Sequence, residues 1–447
     1  MTGAATSPKR AYAYMASHAV ASLIHGVLPA ILPMCLLDAM PAGRYAALLV
    51  VGGLVQVAAV PLLSPASDRF GPARVVLFGE MCFAALLAVA LTLVARGSSD
   101  FLAWSLYFGA SGAITGLLIP AQGVMVQHLT DTRTLERALS WESVAQTVGR
   151  LTGPVAAATA LALATPVKAL GWVFALWLFT WAVHVVVLLR LAKDASSDPT
   201  PLLAFGSYRD SIDRWLADIR AGARVRWRLK TERWLVIQAS AELLFIVPAF
   251  GFCLALAIHH ANWPISSLGW TQASCGAGLV LANAFGEQVC RRVDRWWLSQ
   301  MSGYGVGLGL MMMSFALTAQ SLVLLAFAAF FANLCLGIRI FCGRAQRRVA
   351  LPRAWLARFA AIHVVLNTLA AQTGIALGAL ADGKMELTTW YALAGLIILP
   401  LTWSTRWIPG WRALLSCSPD QAQGRYEREW PEAFRLEARP GKTRPAV

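Results

Sequence analysis

Apolar and polar positions alternate along this chain in blocks rather than residue by residue. Runs of roughly 18 or more largely apolar residues recur, each ended by a short stretch rich in Gly, Pro, Arg or Asp. A helix of that length and character crosses the hydrocarbon of a bilayer. A transmembrane barrel is excluded, because its strands alternate at every second residue. The pattern predicts twelve helical spans, at 13–37, 44–63, 73–95, 101–127, 139–164, 168–191, 234–258, 266–289, 299–319, 321–343, 355–381 and 387–408.

Composition agrees and adds sidedness. Of 447 residues, 57% are hydrophobic and 14% charged, which excludes an ordinary soluble core. A net charge of +15 would suit nucleic acid, but its distribution argues against that partner. Basic residues gather in alternate loops: Lys9 and Arg10; Arg69 and Arg74; Arg133 and Arg137; the central segment; Arg291, Arg292 and Arg295; and Arg344, Arg347, Arg348, Arg353 and Arg358. The opposite loops hold only Arg44, Arg96, Lys168 and Lys384. This bias predicts a multi-pass protein of the bacterial inner membrane with both termini cytoplasmic. The stretch after Arg10 is too long for a signal-peptide core and is expected to be the first span. The eight cysteines show no C-x-x-C pair, so free thiols are expected, with no metal site and no disulfide framework.

The chain also repeats itself. Gly286 to Arg291 follows the eighth span as Ser64 to Arg69 follows the second, at an offset of 222, with Cys290 in the place of Asp68. Leu356-Ala357-Arg358 likewise answers Leu135-Glu136-Arg137 at an offset of 221. The expected organisation is a six-helix bundle over 1–191, a cytoplasmic linker over 192–233, a second bundle over 234–409 and a cytoplasmic tail over 410–447. In the linker, Ile212, Trp215, Leu216, Ile219 and Ala223 recur at helical spacing among arginines. That predicts an amphipathic helix on the inner membrane surface. The tail is polar and expected to be loosely ordered.

Two motifs carry a family resemblance. Asp68-Arg69-Phe70-Gly71, followed by Arg74, sits between spans 2 and 3. Gly149-Arg150-Leu151-Thr152-Gly153-Pro154 lies within span 5. Glycines at four-residue spacing let helices approach closely, and the proline kinks the helix. The first motif resembles the loop between helices 2 and 3 of the major facilitator superfamily. The second, with Leu135 to Ser140 before it, resembles that superfamily's enterobactin- and macrolide-exporter-like branch. The resemblance implies an all-α membrane protein of twelve helices in two pseudo-symmetric bundles. It implies a monomeric proton-coupled exporter of a siderophore or amphipathic drug among membrane lipids, with Asp68, Arg69, Gly71 and Arg74 as gate. An importer of a ferric siderophore or metabolite, and a lysolipid transporter, are alternatives on the same fold.

Polar residues inside the spans supply candidates for cargo binding and coupling. Arg150 lies eleven residues into span 5, roughly 16 Å deep at about 1.5 Å per residue. A charge at that depth requires a partner or a wet cavity. Glu242 is either a cavity carboxylate or a salt-bridged contact, and Glu80 is expected to support the 2–3 loop. His25 is either a coupling group or a packed core residue. Gln146, Asn333, His363 and Asn367 complete the candidates, the last two sharing one face of span 11. His184 is expected at the periphery. Trp104, Trp172, Trp263, Trp296, Trp297, Trp390 and Trp407 fall near span ends, where interfacial belts form. No Walker A loop, H-E-x-x-H or G-x-S-x-G occurs, so neither ATP hydrolysis nor an enzyme is expected, and no cofactor.

Overall fold

A computed structural model describes residues 8–63, 66, 70–129, 148, 152–196, 208–352 and 355–434. The described residues are helical, with no strand among them. The long helices of the first part are α1 (Pro8–Ala39), α2 (Ala42–Leu63), α3 (Pro72–Ala95), α4 (Phe101–Leu129), α5 (Thr152–Leu163) and α6 (Pro166–Ser196). The linker helix is α7 (Tyr208–Arg228). There follow α8 (Lys230–Phe250), α9 (Phe252–His260), α10 (Ser266–Arg292), α11 (Arg295–Thr318), α12 (Leu322–Ala350), α13 (Leu356–Ala381) and α14 (Leu387–Ser404). Four short helices close the described chain: α15 (Trp411–Ser416), α16 (Pro419–Ala422), α17 (Arg425–Glu429) and α18 (Pro431–Phe434).

Local chemistry sets several boundaries. Gly71 takes φ 83°, a left-handed value that glycine adopts freely, and Pro72 then opens α3 at its first position. Asp294 caps α11 by accepting from the Trp297 amide at 3.1 Å. The seventh predicted span is broken in two at Gly251, three residues after Pro248 removes a backbone donor. Nine helical stretches among the described residues are long and apolar enough to cross a membrane. The first, fifth and eighth predicted spans are not among them. The fifth runs through residues outside the described ones and the first through side chains outside them, while α10 carries Ser266, Ser267, Thr271, Gln272 and Ser274 in its first turns.

Helix packing repeats at an offset of six spans. In the first group α1 packs on α6, α2 on α4, and α3 on both α4 and α6. In the second, α8 packs on α14, α10 on α12, and α11 on both α12 and α14. The closest approaches use glycine in corresponding pairs: a Cβ on Gly112 of α4 would collide with the Gly52 carbonyl of α2, and one on Gly278 of α10 with the Phe330 carbonyl of α12. In lipid, where burying apolar surface gains little, such close backbone packing holds helices together.

Side-chain clusters show which helix ends lie together. The end of α1, the start of α2, the start of α4, α9 and the start of α10 share one core containing Leu36, Leu37, Met40, Tyr45, Trp104, Phe252, Leu256 and Leu268. This far end joins the two groups. At the opposite, terminal end, Val225, Leu229, Leu235, Trp296, Ala350, Trp355, Trp411, Leu414, Leu415 and Tyr426 form another core. Residues 411–434 are therefore not loose, contrary to the polar reading of the tail. Its Trp411, Leu414, Leu415 and Tyr426 are buried, and each fully buried large apolar side chain contributes about 1.5–3 kcal/mol relative to exposure. The segment Tyr208–Arg228 is helical and packs on α13 as well as on α8. Trp104, Trp296 and Trp390 are buried in the cores rather than placed in a belt.

Candidate transport site and gates

Several predicted residues lie outside the described ones: Asp68, Arg69, Gln146, Gly149 and Arg150, together with the side chain of His25. Of the loop motif, Gly71 forms the turn and Arg74 is exposed on the first turn of α3. Of the helix-5 motif, Gly153 and Pro154 open α5. This element meets the second group, because a Cβ on Gly269 of α10 would come within 2.7 Å of the Pro154 carbonyl and of the Ala158 Cβ. A second crossing lies between α2 and α13, where the Gln372 side chain fills the space a Cβ on Gly53 would need.

One ion pair joins the two groups among the described residues. Asp38, at the end of α1, holds Nε2 of His259 on α9 at 3.2 Å. His260 follows with its ring centroid 6.1 Å from that of His259. The contact is charged only when the imidazole is protonated, and it sits over the far-end core.

Glu242 is a salt-bridged contact. Arg339 of α12 donates to it at 2.6 Å and Gln238, one turn earlier on α8, at 2.7 Å. Arg339 also reaches Thr402 at 3.4 Å. Both charges are largely buried, so each secures the other against the cost of an unpaired charge in lipid. Both belong to one packing group, so a rigid-body motion of one group against the other leaves them together. Sequence reasoning missed Arg339, although an arginine in the run Leu-Gly-Ile-Arg-Ile-Phe signals that a carboxylate must lie nearby.

In the first group, Tyr14, Ser17 and His18 of α1 and His184 of α6 form a buried polar cluster. His184 Nδ1 lies 2.9 Å from Ser17 Oγ, and Tyr14 stacks on His18 at 5.6 Å. His184 is thus central, not peripheral: its helical face turns inward between Trp177 and Leu188. Glu80 is fully buried as well. Asn333 donates to the Ala329 carbonyl at 2.9 Å, and Asn367 lies 3.0 Å from His363 Nε2. No group of three or more His, Cys, Asp or Glu that could hold a metal occurs among the described residues.

At the terminal end, Glu232 is fully buried and held by Arg347 at 2.7 and 2.9 Å, by Arg226 at 3.5 Å and by the Tyr426 hydroxyl at 3.0 Å. Burial pushes the Arg226 guanidinium down to about 10 while Glu232 pulls it back up, so it stays charged at neutral pH. Burial, and then the Glu232 carboxylate, push the Tyr426 phenol well above its ordinary value, which keeps its proton available to donate. Linker, α8, α12 and tail are thereby tied into one unit.

Comparison with known proteins agrees with this layout. By sequence, no curated protein matches. A bacterial homologue of the iron transporter ferroportin in its inward-facing state is 13% identical, with a TM-score of 0.66 over 89% of this chain and 98% of that one. A bacterial metal transporter, also 13% identical, aligns with a TM-score of 0.59 over 91% of this chain and 100% of its own. The xylose transporter XylE from E. coli, partially occluded and inward open, is 11% identical, with a TM-score of 0.60 over 90% and 98%. The family profile described as Major Facilitator Superfamily matches residues 14–371. An all-helical chain whose packing repeats at six spans, and whose sequence fits that profile over most of its length, is a multi-pass membrane transporter rather than an enzyme, and it belongs to the Major Facilitator Superfamily.

Proposed function

We propose that the protein is a secondary active transporter of the bacterial inner membrane that exports a small organic molecule, a siderophore or an amphipathic drug, in exchange for protons. In this reading the packing groups are six-helix halves over 1–191 and 234–409, the terminal end faces the cytoplasm, and the transporter works as a monomer. The observation that supports it is the Asp38–His259 contact across the halves, over an apolar far-end core. Protonation from outside adds an attraction that exists only in the outwardly closed state, which links proton binding to the alternation of access. The Gly-Pro element of α5 set against α10 fits the exporter resemblance. α13, the helix facing α2, carries His363, Asn367 and Gln372, donors and acceptors suited to an organic cargo rather than a bare ion. Iron and xylose are named for the similar structures.

The test compares metabolites in cells and medium between a deletion strain and its complemented parent, with and without iron. Export predicts a compound retained in the deleted cells and missing from their medium. A compound left in the medium and missing from the cells reverses the direction. In proteoliposomes an inward proton gradient is expected to drive cargo out of the lumen equivalent to the cytoplasm, and Arg150→Ala to abolish that flux while insertion persists.

A further inference from the structure

The rim of the terminal end carries basic side chains that the transport reading does not use. After α14 the chain turns through Arg406, Trp407, Ile408, Pro409 and Gly410 into α15, and a shallow cavity of about 650 Å³ opens there. Its polar lining is Arg406, Arg412 and Ser416. Arg406 and Arg412 are exposed and make no ion pair among the described residues. Trp407 beside them is 72% exposed. The Thr231 hydroxyl donates to the Pro409 carbonyl at 2.5 Å, which ties the turn to the start of α8. That start bears Arg233, stacked over Trp227 at 5.9 Å and over Trp234 at 5.8 Å. The carboxylates nearby are accounted for. Glu232 is turned inward to Arg347, and Asp294 caps α11 and accepts from Ser416 at 3.3 Å.

The geometry points to a binding site for the phosphate of an anionic phospholipid headgroup at Arg406 and Arg412. The Arg406 guanidinium lies 3.7 Å above the Trp403 ring. Stacking occupies one face of the guanidinium and leaves its in-plane N–H groups free to donate, the arrangement that suits a phosphate fork. The exposed indoles of Trp403, beneath Arg406, and of Trp407, in the cavity lining, accompany the arginines, and indole rings settle at the level of glycerol and headgroup. The site therefore presents cations and exposed aromatics together, which fits a lipid phosphate better than a soluble one. The assignment rests only on the chain spanning a membrane, not on cargo or direction.

The test is native mass spectrometry of the detergent-purified full chain, titrated with phosphatidylglycerol and, separately, with phosphatidylethanolamine of the same acyl chains. Inorganic phosphate and glycerol phosphate form a third arm. Phosphatidylglycerol is expected to bind the native chain in preference to phosphatidylethanolamine. R406Q/R412Q is expected to weaken it roughly 10- to 30-fold, while R44Q/R96Q at the far end leaves it unchanged. R406K/R412K keeps the charge but loses the stacked fork, and is expected to recover only part of the affinity. It also serves if the glutamine variant does not fold. Equal binding of the two lipids, or unchanged phosphatidylglycerol binding in both double variants, overturns the proposal. Soluble phosphate that binds natively and is lost in R406Q/R412Q would make this a site for a free anion and overturn the lipid assignment.

Discussion

Asn in place of Asp38 removes one charge from the contact that joins the two halves and leaves the apolar core beneath it intact. The magnitude follows from exposure. The Asp38 side chain is 56% and the His259 side chain 35% exposed, so the pair belongs with surface ion pairs of about 0.2–1 kcal/mol. That energy changes the ratio of far-end-closed to far-end-open molecules by roughly 1.4- to 5-fold. The attraction exists only while the ring is protonated. The direction is fixed: acid favours closure. Spin labels on non-canonical residues at 100 and 318, two exposed far-end positions in opposite halves, avoid the native cysteines. Pulsed dipolar distances then report the two populations. The native protein is expected to gain the shorter distance on acidification, less so at about 1 M salt, where screening reaches about 3 Å. Asp38→Asn and His259→Gln are each expected to flatten the profile. His260→Gln should not, although its ring centroid lies 6.1 Å from that of His259. A pH profile that survives Asp38→Asn unchanged refutes the latch.

Four further outcomes follow from the packing. Gly269→Val should hold α10 away from Pro154 and Ala158, lowering transport more than tenfold while the thermal midpoint of each half moves little; normal flux would show that the halves need not approach there. Glu242→Gln or Arg339→Met alone leaves a buried charge and should cost about 3–5 kcal/mol, read as a fall in the detergent melting temperature. The double variant should regain most of it, and simple additivity would contradict the pairing. Tyr426→Phe removes a donor from buried Glu232 and should cost about 1–3 kcal/mol in the same assay, with transport kept. His184→Phe should destabilise the first half by a similar amount through the loss of the Ser17 contact, and no change would mean that contact is idle.

Much of the fold was legible because lipid imposes a local rule. Predicted spans 44–63, 73–95 and 101–127 correspond to Ala42–Leu63, Pro72–Ala95 and Phe101–Leu129, since apolar runs and their Pro or Gly ends are read residue by residue. What stayed hidden is what depends on facing. Composition showed His184 as one polar residue on an apolar helix, but not that its face meets Ser17, 167 residues away. Glu242 was visible and Arg339 was not sought, because their meeting is fixed by how α8 packs against α12. The tail misled for the opposite reason. Its apolar residues are too sparse for a span, and only the clustering of Trp411, Leu414, Leu415 and Tyr426 on one surface makes them a core.

The docked tail bears on how the protein is made. Synthesis runs from the N-terminus, and every predicted span has left the ribosome before Trp411 and Tyr426 emerge. The second half must therefore wait in the membrane with Glu232 and Arg347 lacking their last partner and Leu229, Trp296 and Trp355 uncovered. A chain cut short after α14 would insert all its spans and still present that raw surface to the quality-control machinery.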